Sequence, residues 1–151
     1  MSVLSWGKCT IEHAVSENGA PKSDGGSWTT LDTPKEDTTK LTATAGTEKT
    51  ANEEGGEVVD AMFTANSYQF EFDLFVKKGG TRPFTDNNGP VEGEHAFRVT
   101  PQDETCEGFQ IDRAILRVED SYATADGILL HHVAKVLKPA SGKMVKPYTK
   151  S

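Results

Sequence analysis

No apolar run in this chain approaches the roughly 20 residues that a membrane-spanning helix needs. Its opening, Met1 to Gly7, carries neither the basic nor the apolar section of a signal peptide. The expectation is a protein made and kept in the cytoplasm, or released by lysis, with no membrane partner. Cysteine is scarce: Cys9 and Cys106 stand far apart, without a second Cys or a His at metal-ligand spacing. Buried free thiols are the default for such a pair, and a disulfide between them needs a Cα separation that sequence does not supply. Basic residues are outnumbered, with 16 Lys and Arg against 23 Asp and Glu and a formal net charge of -7. That balance argues against a general nucleic-acid binder, because such proteins gain affinity by placing Lys and Arg on phosphates.

The patterns of catalysis are missing too. There is no Gly-x-Ser-x-Gly elbow and no Cys-His pairing that sequence places together. Gly25-Gly26, Gly55-Gly56 and Gly79-Gly80 lack the spacing of phosphate-cradling loops. Glu53, Glu54 and Glu57 read as a solvated acidic loop rather than a cation site, and Asp86 to Gly89 lacks the distal Glu of a calcium loop. His131 and His132 are neighbours on a predicted strand, so they face opposite ways and cannot share one metal; one faces solvent and one packs. No catalytic, cofactor-binding or metal-binding residue is therefore assigned, and an enzyme is not expected. Trp6 and Trp28 suit core or interface anchors better than a sugar-stacking platform.

What is present is strand alternation. From Gly108 to Leu137 two long β-strands are predicted, joined around Ser121 to Gly127. In the first, Asp112, Ala114, Leu116 and Val118 alternate with Ile111, Arg113, Ile115 and Arg117. Further strands are predicted over Lys8 to Val15, Trp28 to Leu31, Val58 to Phe63, Tyr68 to Val76 and Glu94 to Thr100. The Thr-rich stretch Thr38 to Ala51, with Ala45-Gly46-Thr47 at its middle, reads as a projecting hairpin with little apolar area to bury. Asn52 to Glu57 follows as an acidic connector, and the arm as a whole spans about residues 38–57. Helix periodicity is weak throughout, with room for one short helix near Gly80 to Asp86, and the tail from Lys138 to Lys143 reads as a turn and a short basic end. The length of 151 residues fits a single domain. The fold class is mainly β: one β-sandwich or half-barrel with long antiparallel strands and at most one short helix.

Several stretches together resemble tail tube proteins, small structural proteins of phages and prophages. They are WTTLDTPKEDTT from Trp28, EGGE from Glu54, Tyr68 with Phe70-Glu71-Phe72, KKGGTRP from Lys77, GFQIDR from Gly108 and LKPASG from Leu137. The resemblance implies a virion subunit whose copies close into a ring, with six as the expected number. Rings then stack into a tube beside other tail proteins, and DNA passes without specific binding. Related tubes in contractile injection and type VI-like systems carry proteins instead. On this reading the subunit interface includes Thr38, Thr39, Lys40, Leu41, Thr42, Thr44 and Thr47. An acidic bore would keep phosphates from sticking, with Glu71, Asp73, Asp112 and Glu119 as candidates at exposed polar positions. The alternative from another class is a monomeric β-sandwich that binds a glycan or a protein partner.

Overall fold

The computed structural model of the protein describes residues 3–21 and 28–149. Among them there is no helix, and eleven strands carry the fold. Seven lie in one antiparallel path. It begins with Ala20–Pro21 (β2), Thr10–Glu17 (β1) and Pro90–Thr100 (β8), and continues through Gly108–Ala123 (β9), Gly127–Val136 (β10), Ser67–Phe75 (β7) and Lys40–Thr44 (β4). Thr29–Thr30 (β3) adds to β1, and Val145–Tyr148 (β11) adds to β9 beyond the end of β10. The remaining pair, Glu48–Asn52 (β5) and Val58–Phe63 (β6), forms a separate two-stranded ribbon.

The expected long hairpin is present as β9 and β10, paired in continuous register from Gly127 opposite Ala123 to Val136 opposite Ala114. Its alternation decides what is inside. Ala114, Leu116 and Val118 on β9 meet Leu130, His132, Ala134 and Val136 on β10 in the core, while Ile115, Arg117 and Glu119 face out. On β7, Phe70, Phe72 and Leu74 supply the same inner face. The sheet is curled into a half-barrel. β7 and β8 are separated in it by two strands, about 14 Å if the sheet were flat, yet the rings of Phe70 and Phe97 come within 5.6 Å. The segment after β3 spans the open side, with Leu31 N–H donating to Ile11 O on β1 and Lys35 N–H to Asp73 O on β7. At Gly108 the backbones of β8 and β9 approach so closely that a Cβ would lie 1.9 Å from Val99 O.

Three sequence expectations are corrected. The short helix at Gly80 to Asp86 does not form; Gly79-Gly80 and Pro83 break any helical run, and Phe84 instead inserts from this connector into the core. The tail is not merely a basic turn, since β11 pairs with the start of β9. The hairpin of Thr38 to Ala51 is displaced as well. Leu41 is the only large apolar residue in that stretch, and it packs on the core opposite Phe70, which draws Lys40–Thr44 onto the sheet edge. The ribbon then starts at Glu48 and turns at Gly55-Gly56, whose φ values of 98° and 92° suit glycine alone. Residues 53–57, expected as a connector, are its tip.

Candidate functional site

The ribbon is the most unusual surface of the molecule. Every residue from 47 to 66 is exposed. Yet Val58, Val59, Met62 and Phe63 are apolar, and Phe63 is 76 % exposed. Met62 and Phe63 are adjacent on β6 and so project from opposite faces, opposite Lys49 and Glu48 respectively. A two-stranded ribbon gains little stability alone, and apolar groups on both faces leave neither side suited to water. Its root is latched: Thr64 N–H donates to Thr47 O at 2.8 Å, Thr47 N–H to Thr64 Oγ1 at 2.6 Å and Gly46 N–H to Asn66 Oδ1 at 3.2 Å. The direction of the ribbon is thereby held while its length stays uncovered.

The Thr-rich residues separate into three places. Thr38 Oγ1 donates to Lys35 O and accepts from Asp73 N–H, so it ties the crossing segment to β7. Thr39 bonds to the Cys9 thiol. Lys40, Leu41, Thr42 and Thr44 lie on β4, which pairs with β7 along one edge and ends the strand path at the other. Thr47 belongs to the ribbon root. Among the described residues no strand pairs with that outer edge, and an edge of this kind presents backbone donors and acceptors to any strand that can add to it.

The four carboxylates considered for an acidic lining part company. Glu71 and Asp73 stand side by side on the outer face of β7, and both reach His131 of β10, at 3.3 Å from Glu71 and 2.5 Å from Asp73. Glu119 is the cross-strand partner of His131 and pairs with Arg117 at 2.9 Å. Asp112 is corrected: it is not an exposed polar position but is 4 % exposed, held by the Lys146 ammonium of β11 and by Gln110. The face that carries the other three also carries Lys40, Arg117 and Lys135 by strand register, so its charge is balanced. The chain's acidity gathers instead in the ribbon, at Glu48, Glu53, Glu54, Glu57 and Asp60.

Inside the half-barrel lies a cluster that sequence did not reveal. His13, His95 and His132 come from β1, β8 and β10, and all three touch the ring of Phe84, at centroid separations of 4.7, 5.7 and 5.6 Å. His95 Nε2–H donates to Glu92 O, which leaves its Nδ1 to accept from His13 Nε2–H at 2.9 Å. His132 stacks flat on Phe72 at 4.6 Å, fully buried, and neither of its ring nitrogens completes a hydrogen bond. Burial pulls His132 down to about 4; burial and the neighbouring His95 do the same to His13. Its neighbour in sequence, His131, is the half-exposed one of the pair, as strand alternation requires.

Elsewhere the outer face carries a stack in which the Arg98 guanidinium lies 4.4 Å from the Trp28 ring and 5.1 Å from Tyr148, while both Glu12 carboxylate oxygens accept from it. One face of Trp28 is thus occupied by this chain itself. Neither cysteine is in a disulfide; burial pushes the Cys9 thiol up, away from the thiolate form a nucleophile needs. An open cleft of about 450 Å³ runs between Gly7 to Cys9 and Thr33 to Asp37. Among the described residues no three His, Cys, Asp or Glu gather as a metal-binding group. Compared with known proteins, the chain matches no family model and no curated protein.

Proposed function

We propose that this chain is a structural subunit that associates with copies of itself, its finer role being that of a ring-stacked tail tube which passes DNA without binding it. The observation that carries the reading is the β5–β6 ribbon, a latched, fully exposed element with apolar residues on both faces. Burying the four apolar side chains Val58, Val59, Met62 and Phe63 against neighbours would contribute roughly 1.5–3 kcal/mol each at full burial. That is ample for an element repeated in every copy. The open edge of β4 supports the same reading, because a strand from a neighbour continues a sheet there without new side-chain chemistry. Contacts between different patches of identical copies close into rings or propagate as filaments, depending on their rotation. Six copies per ring, neighbouring tail proteins and a place in the virion follow from the sequence resemblance and belong to the proposal.

The test compares the intact chain with one whose residues 48–63 are replaced by a short Gly-Ser link, using light scattering across a concentration series. Concentration-dependent assembly of the intact chain, lost in the shortened one, supports the proposal. A strictly monomeric intact chain at every concentration and salt, with a solvent-exposed ribbon, rejects it in favour of a binding module for a glycan or another protein.

A further inference from the structure

The ribbon leaves one end of the sheet, and a surface complementary to it lies at the other. Beyond β7, Val76 N–H donates to Ile128 O at 3.1 Å, and Ile128 stands opposite Tyr122 in the β9–β10 register. Two residues back along these strands, Leu74 and Leu130 are buried. By the strand period of two, Val76, Ile128 and Tyr122 lie on the same face as those core residues but past the end of the core. They are 37 %, 40 % and 73 % exposed. The sheet therefore overhangs its own core and shows an apolar inner face to solvent.

The rim of this overhang is basic. Arg82 pairs with Asp120 at 2.9 Å and Lys35 with Asp126 at 3.1 Å, so those carboxylates are already matched. Lys77 and Lys78 are exposed and form no ion pair among the described residues, and Asp32 lines one groove with Lys77 and Arg82. The ribbon has the opposite character: five carboxylates, Glu48, Glu53, Glu54, Glu57 and Asp60, against Lys49 alone, beside its apolar Val58 and Val59. Root and overhang are separated by the nine residues of β7, about 30 Å of strand. The ribbon does not fold back over that overhang, since every residue from 47 to 66 is exposed.

We infer that the acidic tip of one copy's ribbon docks on the lysine-rimmed overhang of the next copy. Val58 and Val59, where the register with β5 shifts and strict alternation breaks, meet Val76, Tyr122 and Ile128, and Glu53, Glu54 and Glu57 lie over Lys77 and Lys78. The inference rests on the self-assembly reading and names the surface that reading leaves open. The contact is head to tail, joining unlike ends of identical subunits, and its charged rim sets partner orientation and association rate.

The experiment uses the full chain in two forms, Lys77→Glu with Lys78→Glu, and Glu53→Lys with Glu54→Lys and Glu57→Lys. All five positions are exposed, and circular dichroism with thermal melting establishes that both forms fold. Each alone should require an about ten-fold higher concentration for half-assembly at low salt, equivalent to about 1.4 kcal/mol. An equimolar mixture should recover most of the loss, because reversed tips then meet reversed rims. Unchanged assembly of either form, or a mixture no better than its components, overturns the docking. If the ribbon-shortened chain fails to assemble while the Lys77 and Lys78 substitutions do nothing, the ribbon binds elsewhere: the docking falls and self-assembly stands. If the intact chain does not assemble, both fall.

Discussion

Lowering the pH should unfold this protein through its core before its carboxylates are exhausted, and His132 is the residue with which to measure the effect. It is fully buried, its ring nitrogens complete no hydrogen bond, and burial holds it at about 4 against an ordinary value of 6.5. The titratable side chains that act on it electrostatically, Asp73 and His131, alternate to the outer face. Between pH 6.5 and 4 the unfolded chain binds more protons at this position than the folded one, so stability falls as pH falls and the loss is complete below pH 4. Moving from pH 7 to pH 5 costs about 2 kcal/mol at His132 alone, from the 1.36 kcal/mol that accompanies each pKa unit. His13 adds to the same limb with the same sign, since it too is held at about 4. Urea titrations followed by tryptophan fluorescence at the two pH values read the effect. With a slope of roughly 2 kcal/mol per molar, His132 should account for a midpoint shift of about 1 M. His132→Leu keeps the site apolar and removes the titrating ring, so its midpoint should shift by about 1 M less than that of the natural chain. Any carboxylate contribution is common to both proteins and cancels. An equal pH dependence in the two would refute the assignment, and with it the idea that burial of this imidazole is what makes the fold acid-sensitive.

Three further outcomes are expected. Phe63→Ser, on the exposed ribbon, should leave the stability of the isolated subunit within about 0.5 kcal/mol while weakening assembly; a large loss of monomer stability would place Phe63 in the fold rather than in a contact. Amides of residues 48–63 should exchange rapidly in the free subunit and slow on assembly, whereas those of β9 and β10 should be protected in both; identical exchange in both states would remove the ribbon from the interface. Lys146→Met should leave the Asp112 carboxylate buried with Gln110 as its remaining side-chain partner and cost about 3 kcal/mol, read as a lower urea midpoint; an unchanged midpoint would show that Asp112 rehydrates when β11 loosens.

The strands that sequence made legible are those in which alternation separates two chemically different faces. β7 shows Phe70, Phe72 and Leu74 against Glu71 and Asp73, and β9 shows Ala114, Leu116 and Val118 against Arg117 and Glu119. The Thr-rich stretch offers no such contrast, so its period could not say where one strand ended and the next began. The single anchor, Leu41, sent β4 to the sheet and pushed the ribbon about ten residues downstream. β11 was hidden for another reason: it is four residues long and contains Pro147, which donates no backbone hydrogen bond and so argues against a strand except at an edge. The histidine cluster was out of reach because His13 and His95 are 82 residues apart and meet only when β1 pairs with β8, and His132 joins them through Phe84 only when the sheet curls. Charge was legible as a total and not as a distribution. The outer face around His131 balances its carboxylates with Lys40, Arg117 and Lys135, and five carboxylates stand against one lysine on the ribbon.

Electron microscopy of the intact chain at high concentration, beside the form lacking residues 48–63, tests self-assembly through the ribbon most directly. Rings or stacked tubes from the intact chain, with the ribbon of each copy packed on another and isolated subunits only from the shortened form, are the predicted result. Dispersed single subunits from both, or identical assemblies from both, would contradict it.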